Sequence, residues 1–156
     1  MRLLITEADV KPMAEMVMGL RDAGLTVRSV RGRKMRTVGS LFDEMAAALQ
    51  FPYYFGENWP AFDECLSDMD WLPINAGIVI LVYDAVEVLT DAAEAELANL
   101  ARSIEGARSS YSEPIELGEW WDRPAVPFHV ILHSRHPEES GALRARWQKA
   151  GAEILN

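Results

Sequence analysis

Apolar residues recur along this chain at two spacings. Val10, Met13, Met16, Val17 and Leu20 fall three and four apart, which predicts an amphipathic helix over residues 7–23, with Gly24 as its stop. Leu25 to Val30 alternates apolar and polar residues, the period of a half-buried strand. Met1 to Ile5 is a candidate further strand. Thr37 to Ser40 is a hydroxyl-rich helix entry, and Val38, Leu41, Phe42, Met45, Ala48 and Leu49 form the apolar stripe that follows. Pro52 ends that helix, because it lacks a backbone donor and restrains Phe51. After the loop Tyr53 to Glu57, Asn58 is a natural N-cap and Pro60 suits a first turn. The helix so begun is expected to reach about Ser67, with Trp59, Phe62, Cys65 and Leu66 facing inward.

Gly77 to Tyr83 is a continuous apolar run, as in a strand buried on both faces. Residues 85–104 read as helix, with Leu89, Ala93, Leu97, Leu100 and Ile104 as its stripe. A short helix is expected over Pro114 to Trp121, a strand over Phe128 to His133, and a closing helix over residues 138–154. Strands separated by helices predict an α/β fold around a small parallel sheet of about three strands, with residues 1–5 as a possible fourth.

The length of 156 residues suits one domain, and 49% hydrophobic content suffices for an ordinary core. No apolar run approaches the roughly 18 residues of a membrane span, and the N-terminus does not read as a secretory signal. Cys65 is the sole cysteine, so no internal disulfide is possible. These features predict a soluble, cytoplasmic protein without contact to a membrane. The net charge of −9 argues against direct nucleic-acid binding, which needs cations against phosphate. The charge is also unevenly placed. Residues 1–36 carry a net +4, residues 37–101 a net −12 with no Lys or Arg, and residues 102–156 a net −1. Such a stretch is either an ordinary solvated surface or one that steers a cationic partner.

The element order and the run Phe51-Pro-Tyr-Tyr-Phe-Gly-Glu-Asn-Trp-Pro-Ala-Phe-Asp-Glu-Cys-Leu66 resemble the barstar family of intracellular ribonuclease inhibitors. The resemblance covers roughly residues 26–134 and is strongest from Arg36 to Ser67. Residues 1–25 then form an N-terminal extension, and 135–156 a C-terminal helix. Pro52, Tyr54, Gly56, Glu57, Asn58, Ala61 and Leu66 fall on the family pattern. The resemblance implies a loop and helix that plug a cationic ribonuclease active site, with an acidic side chain where a phosphate would sit. That position is Glu64 here. Tyr54 and Asn58 match contact residues, Ser67 keeps a hydroxyl, and Trp71 stands in for an aromatic contact if a gap is allowed. Asp63 replaces an aromatic contact and Pro60 an acidic one, and the family's later acidic contact from the next helix has no placeable counterpart. These departures point to a different basic ribonuclease, or a related cationic toxin, as a one-to-one partner. The expected partner-binding set is Tyr54, Gly56, Asn58, Asp63, Glu64, Ser67, Asp68 and Trp71, with no catalytic residue, metal or cofactor.

The residues argue in the same direction. On a helix beginning after Asn58, Trp59, Phe62 and Leu66 share one side, while Pro60, Asp63, Glu64, Ser67 and Asp68 share the other. Glu64 and Asp68 are four apart and repel, a cost that a bound cation would relieve. Two further readings stay open: a barstar-like interaction module for a non-nuclease partner, and a small enzyme using an acidic cleft. Asp63 and Glu64, as adjacent helical residues, point about 100° apart and do not converge unaided. Cys65, on the apolar side, reads as a buried, inert thiol. His129 and His133 would lie about 13 Å apart along a strand, too far for one zinc, and read as strand-edge residues. Trp120 and Trp121, before Asp122-Arg123-Pro124, are expected to pack as core or lid, with an exposed contact patch as the alternative. The Arg28, Arg31, Arg33, Lys34, Arg36 cluster suits a strand end and turn.

Overall fold

The computed structural model describes residues 2–7 and 9–155. Met1, in the candidate first strand, and the side chain of Val10, in the first helical stripe, lie outside the described residues. The chain forms a five-stranded sheet of order β2-β3-β4-β1-β5, with every pairing parallel. Its strands are β1 (Arg2–Thr6), β2 (Thr26–Arg31), β3 (Ile78–Tyr83), β4 (Phe128–His133) and β5 (Glu153–Leu155). Its helices are α1 (Val10–Asp22), α2 (Val38–Leu49), α3 (Trp59–Asp68), α4 (Glu94–Ser112) and α5 (Ser140–Lys149).

Alternation along the strands divides the core in two. Val30, Ile78, Ile80, Val82, Phe128, Val130, Leu132 and Leu3 join the main cluster with residues of α2, α3, α4 and α5. Val27, Val79, Leu81 and Ile131 face the other way and are covered by Met13, Met16, Val17 and Leu20 of α1. β3 is therefore apolar on both faces, as its unbroken run of Ile, Val and Leu predicts. The register pairs Val30 with Val82, Leu81 with Ile131, and Leu4 with Ile131. Gly32 lets the ends of β2 and β3 approach closely. A Cβ there would lie 2.1 Å from the Asp84 carbonyl oxygen, so any side chain would force the two segments apart.

Several expectations need correction. The sheet has five strands, because the closing segment is helical only over 140–149 and then turns at Gly151 (φ 95) into β5, which pairs with β1. The segment 85–104 is not one helix. Leu89 adopts a left-handed φ of 55 and donates its N–H to the Met35 carbonyl, and Asp91 donates to Arg36. These bonds hold residues 85–92 against the turn after β2, and α4 starts only at Glu94 but runs to Ser112. Pro114 to Trp121 forms a closed loop instead of a helix, with Ile115 and Arg123 bridged antiparallel. Trp120 and Trp121 are not core or lid. They are 79% and 40% exposed, because Asp122 accepts from the N–H groups of Leu117 and Gly118 and turns the loop tip outward. His133 is not at an edge either, since β4 is the middle strand and the ring is buried against Tyr83.

Candidate partner-binding site

The loop between α2 and α3 is held from beneath by rings. Phe42, Phe51, Phe55, Trp59, Phe62 and Trp71 form a connected cluster, mostly edge-to-face, with centroids 5.1 to 6.3 Å apart. Each such pair adds about 0.5–1.5 kcal/mol beyond simple burial. Gln50 ends α2 in the left-handed region, and Phe55 donates its N–H to Pro52, closing a turn. The apolar positions of the loop thus point down, while Tyr53 and Tyr54 stand at its tip, 101% and 67% exposed.

Asn58 then fixes the bend. Its Oδ1 accepts from Ala61 N–H at 3.0 Å as an N-cap, and its Nδ2 donates to the Gly56 carbonyl at 2.9 Å. The left-handed residue of the bend is Glu57, with φ 48. Gly56 serves differently: a Cβ there would come within 3.0 Å of the Asn58 amide nitrogen and disturb that lock. Trp59 is half-buried and donates its indole N–H to Glu96 on α4, at 2.8 Å. Trp71 is half-buried too, donating to the Leu49 carbonyl at 2.9 Å and packing on Phe51. The far end of α3 is tied to α4, because Tyr111 donates its hydroxyl to the Asp68 carbonyl at 2.7 Å and Ser110 to that of Ser67 at 3.4 Å.

On this braced element Asp63, Glu64, Asp68 and Asp70 are exposed. Among the described residues none of them has an ion pair or a side-chain hydrogen bond. Their field acts on Asp68 and Tyr54. Partial desolvation, then Asp70 and Glu64, push the Asp68 carboxyl above its ordinary range, with Arg123 opposing. Partial desolvation, then Cys65, Asp68, Glu64 and Asp70, push the Tyr54 phenol up, so its hydroxyl stays protonated beside the acids. Cys65 is buried, and burial together with Glu64 and Asp68 raises its thiol, which disfavours the thiolate.

The structure brings Tyr54, Glu64 and Asp68 into one field. Asp63 and Ser67 turn toward α4, where they line a groove of about 290 Å³ with Trp59, Pro60, Asn99 and Arg102. Asp63 is the only carboxylate lining that groove, so the acids present a surface rather than converge on a cavity. A larger cavity of about 570 Å³ lies at the strand ends, where its carboxylates Glu44 and Asp84 are already bound to Arg31 and to Arg135 and Arg33. The basic cluster after β2 is thereby largely consumed, since Arg36 also pairs with Glu87 and Asp91. No group of three or more His, Cys, Asp and Glu among the described residues is placed to hold a metal ion. Sequence reasoning did not find Glu96, Tyr111 or Arg102. Their contacts come from α4, and no periodicity links α4 to the loop.

A family model described as Barstar (barnase inhibitor) matches residues 25–133. The chain belongs to the Barstar family. The boundaries agree closely with the region carrying the resemblance, and β1, α1, α5 and β5 of this Barstar-family chain lie outside the match. No curated protein matches the chain significantly. Solved structures similar to it include chains in "Structure of Drosophila ORC bound to AT-rich DNA and Cdc6" and "Structure of Drosophila ORC bound to GC-rich DNA and Cdc6". Each is 14% identical with a TM-score of 0.48, over 99% of this chain and 47% and 48% of those chains. The chain thus spans about half their length, and likeness of that degree bears no functional argument.

Proposed function

We propose that this Barstar-family protein is a cytoplasmic immunity protein that blocks the active site of a basic, secreted-type ribonuclease, one to one. The observation that carries the reading is the cluster of unpaired acids around Glu64 on a loop and helix braced by rings and by α4. A ribonuclease site that binds RNA phosphates is cationic, and carboxylates carried on a braced backbone meet it with no backbone left to order. Glu64 takes the place of a phosphate. Tyr54 supplies an exposed phenol that remains a hydrogen-bond donor. Asp63, Ser67 and Asp68 frame the contact and add field. Gly56, Asn58 and Trp71 act from behind: Asn58 and Trp71 spend their polar groups on the protein's own backbone. Asp68 is raised by desolvation first and then by repulsion from Asp70 and Glu64, and an arriving cation relieves that repulsion, so complex formation gains what the free protein lacks. Membership of an inhibitor family supports the reading, and no helix among the described residues is long and apolar enough to cross a membrane.

The test is RNA cleavage by a panel of small basic ribonucleases with this protein titrated in. The expected result is loss of cleavage by at least one enzyme, with an endpoint at one equivalent. Unchanged cleavage by every enzyme, at micromolar inhibitor, rejects the reading.

A further inference from the structure

The segment between α4 and β4 is built like a contact arm. Its base is closed by the Val126 N–H donating to Tyr111 at 2.8 Å and by the two Ile115–Arg123 backbone bonds at 2.8 and 3.1 Å. Arg123 lies over the Tyr111 ring, 4.4 Å from its centroid, and donates to the carbonyls of Ser110, Glu113 and Pro124. At the tip Asp122 gathers the N–H groups of Leu117 and Gly118, and those backbone bonds hold its carboxyl below the ordinary range. Leu117 and Trp120 stand 72% and 79% exposed on this frame, with Trp121 edge-on to Trp120 at 5.3 Å. A braced loop that holds large apolar side chains in water marks a surface that another molecule covers.

Two observations identify the cover. The loop leaves α4 at the residues that bind the end of α3, Ser110 and Tyr111, and Arg123 sits in the field of Asp68, so the arm continues from the acidic face. Its own charge has the same sign. Glu113, Glu116, Glu119 and Asp122 are exposed, and the one basic residue, Arg123, is turned onto Tyr111. A second copy of this chain would bring like charges together, whereas a cationic protein would not.

We propose that Leu117, Trp120 and Trp121 form a second contact element, closing on the rim of the same cationic ribonuclease that α3 plugs. The proposal rests on the function proposed above. Indole faces accept guanidinium and ammonium groups, and rigid tryptophans at a desolvated contact carry a large share of binding energy.

The test compares wild type, Trp120→Ser and Leu117→Ser on the ribonuclease the protein inhibits, reading association and dissociation rates by surface plasmon resonance. Far-UV circular dichroism and melting confirm folding, and sedimentation velocity gives the oligomeric state. The expected result is dissociation of the Trp120→Ser complex about 30-fold faster, near 2 kcal/mol, with association nearly unchanged. Leu117→Ser should show a smaller effect in the same direction. Unchanged dissociation in both variants overturns the arm and leaves the plug standing. A wild-type protein that dimerises, with Trp120→Ser monomeric, assigns the tryptophans to self-association and also overturns it. Failure of the wild type to bind any basic ribonuclease rejects the parent reading, and the arm with it.

Discussion

Two neighbouring acid-rich stretches end in opposite states. Residues 57–70 hold Glu57, Asp63, Glu64, Asp68 and Asp70, and residues 84–96 hold Asp84, Glu87, Asp91, Glu94 and Glu96, five acids each. In the second stretch every carboxylate has a partner. Asp84 meets Arg135 and Arg33, Glu87 and Asp91 share Arg36, Glu94 meets Lys149, and Glu96 accepts from Trp59 and Asn99. In the first stretch none has an ion pair among the described residues. Apart from Asn99, the partners of the second come from far along the chain, 51 and 55 residues away in the case of Arg36. A count of acids therefore does not report a field. What matters is which acids the fold leaves uncompensated, and it leaves those on α3.

The largest expected break in this comparison is Glu64→Ala. Affinity for the target ribonuclease should fall at least 100-fold, about 3 kcal/mol, within the range for truncating one member of a buried interfacial charge pair. Couplings of this order are those measured at the barnase–barstar interface, so the magnitude is the family's own. Glu94→Ala, in the compensated stretch, should leave Kd within about threefold. Equal losses from the two substitutions would erase the distinction.

A smaller effect separates holding the site from being the site. Asn58→Ala removes both the cap on Ala61 and the lock on Gly56, and should lower folding stability by about 1 kcal/mol in urea unfolding. Asn58→Ser keeps an accepting oxygen for Ala61 and puts no second acceptor against Gly56, so it should recover most of that loss. No recovery would mean that the cap is not what stabilises α3.

Proton linkage sharpens the comparison further. In the free protein Asp68 lies above its ordinary value of 3.8, and a cationic partner draws it down again. Its ionisation thus favours the complex at neutral pH, and that gain begins to fade as pH falls through the raised free-state value and is gone below the lowered bound-state one. Asp91 is held low by Arg36, first through the hydrogen bond and then through charge. Its folded-state contribution is present above its ordinary value and lost only as pH falls further, through the depressed one. Binding should therefore weaken at a higher pH than that at which Asp91 protonates. Calorimetry in two buffers should show proton release on binding as pH is lowered into the raised Asp68 range, abolished by Asp68→Asn. The smallest effect is expected from Arg36→Met, with a slightly lower melting temperature and unchanged dissociation of the ribonuclease.

Much of this was legible in the residues, for identifiable reasons. Asn58, Pro60 and the apolar stripe of α3 are local signals, and they place the helix and its buried side, while its acids divide between the α4 groove and the field around Tyr54. The unbroken Ile78–Val82 run likewise gives a strand covered on both faces. Leu89 and Ala93 fit a helical stripe equally well, yet backbone bonds to Met35 and Arg36 override that period. β5 has only three residues, too few to show alternation, and exists because β1 offers it an edge. Trp120 and Trp121 read as interior residues by type alone. Their exposure follows from how Asp122 folds the loop tip, which composition does not encode.

The position of β1 has a consequence for the newborn chain. β1 is made first, yet its only neighbours are β4 and β5, which emerge after more than a hundred further residues. The ribosome therefore releases α3 and the α4 brace before the first strand can dock. The α3 surface and its α4 brace are thus made while only β2 and β3 can pair, three strands short of the finished sheet.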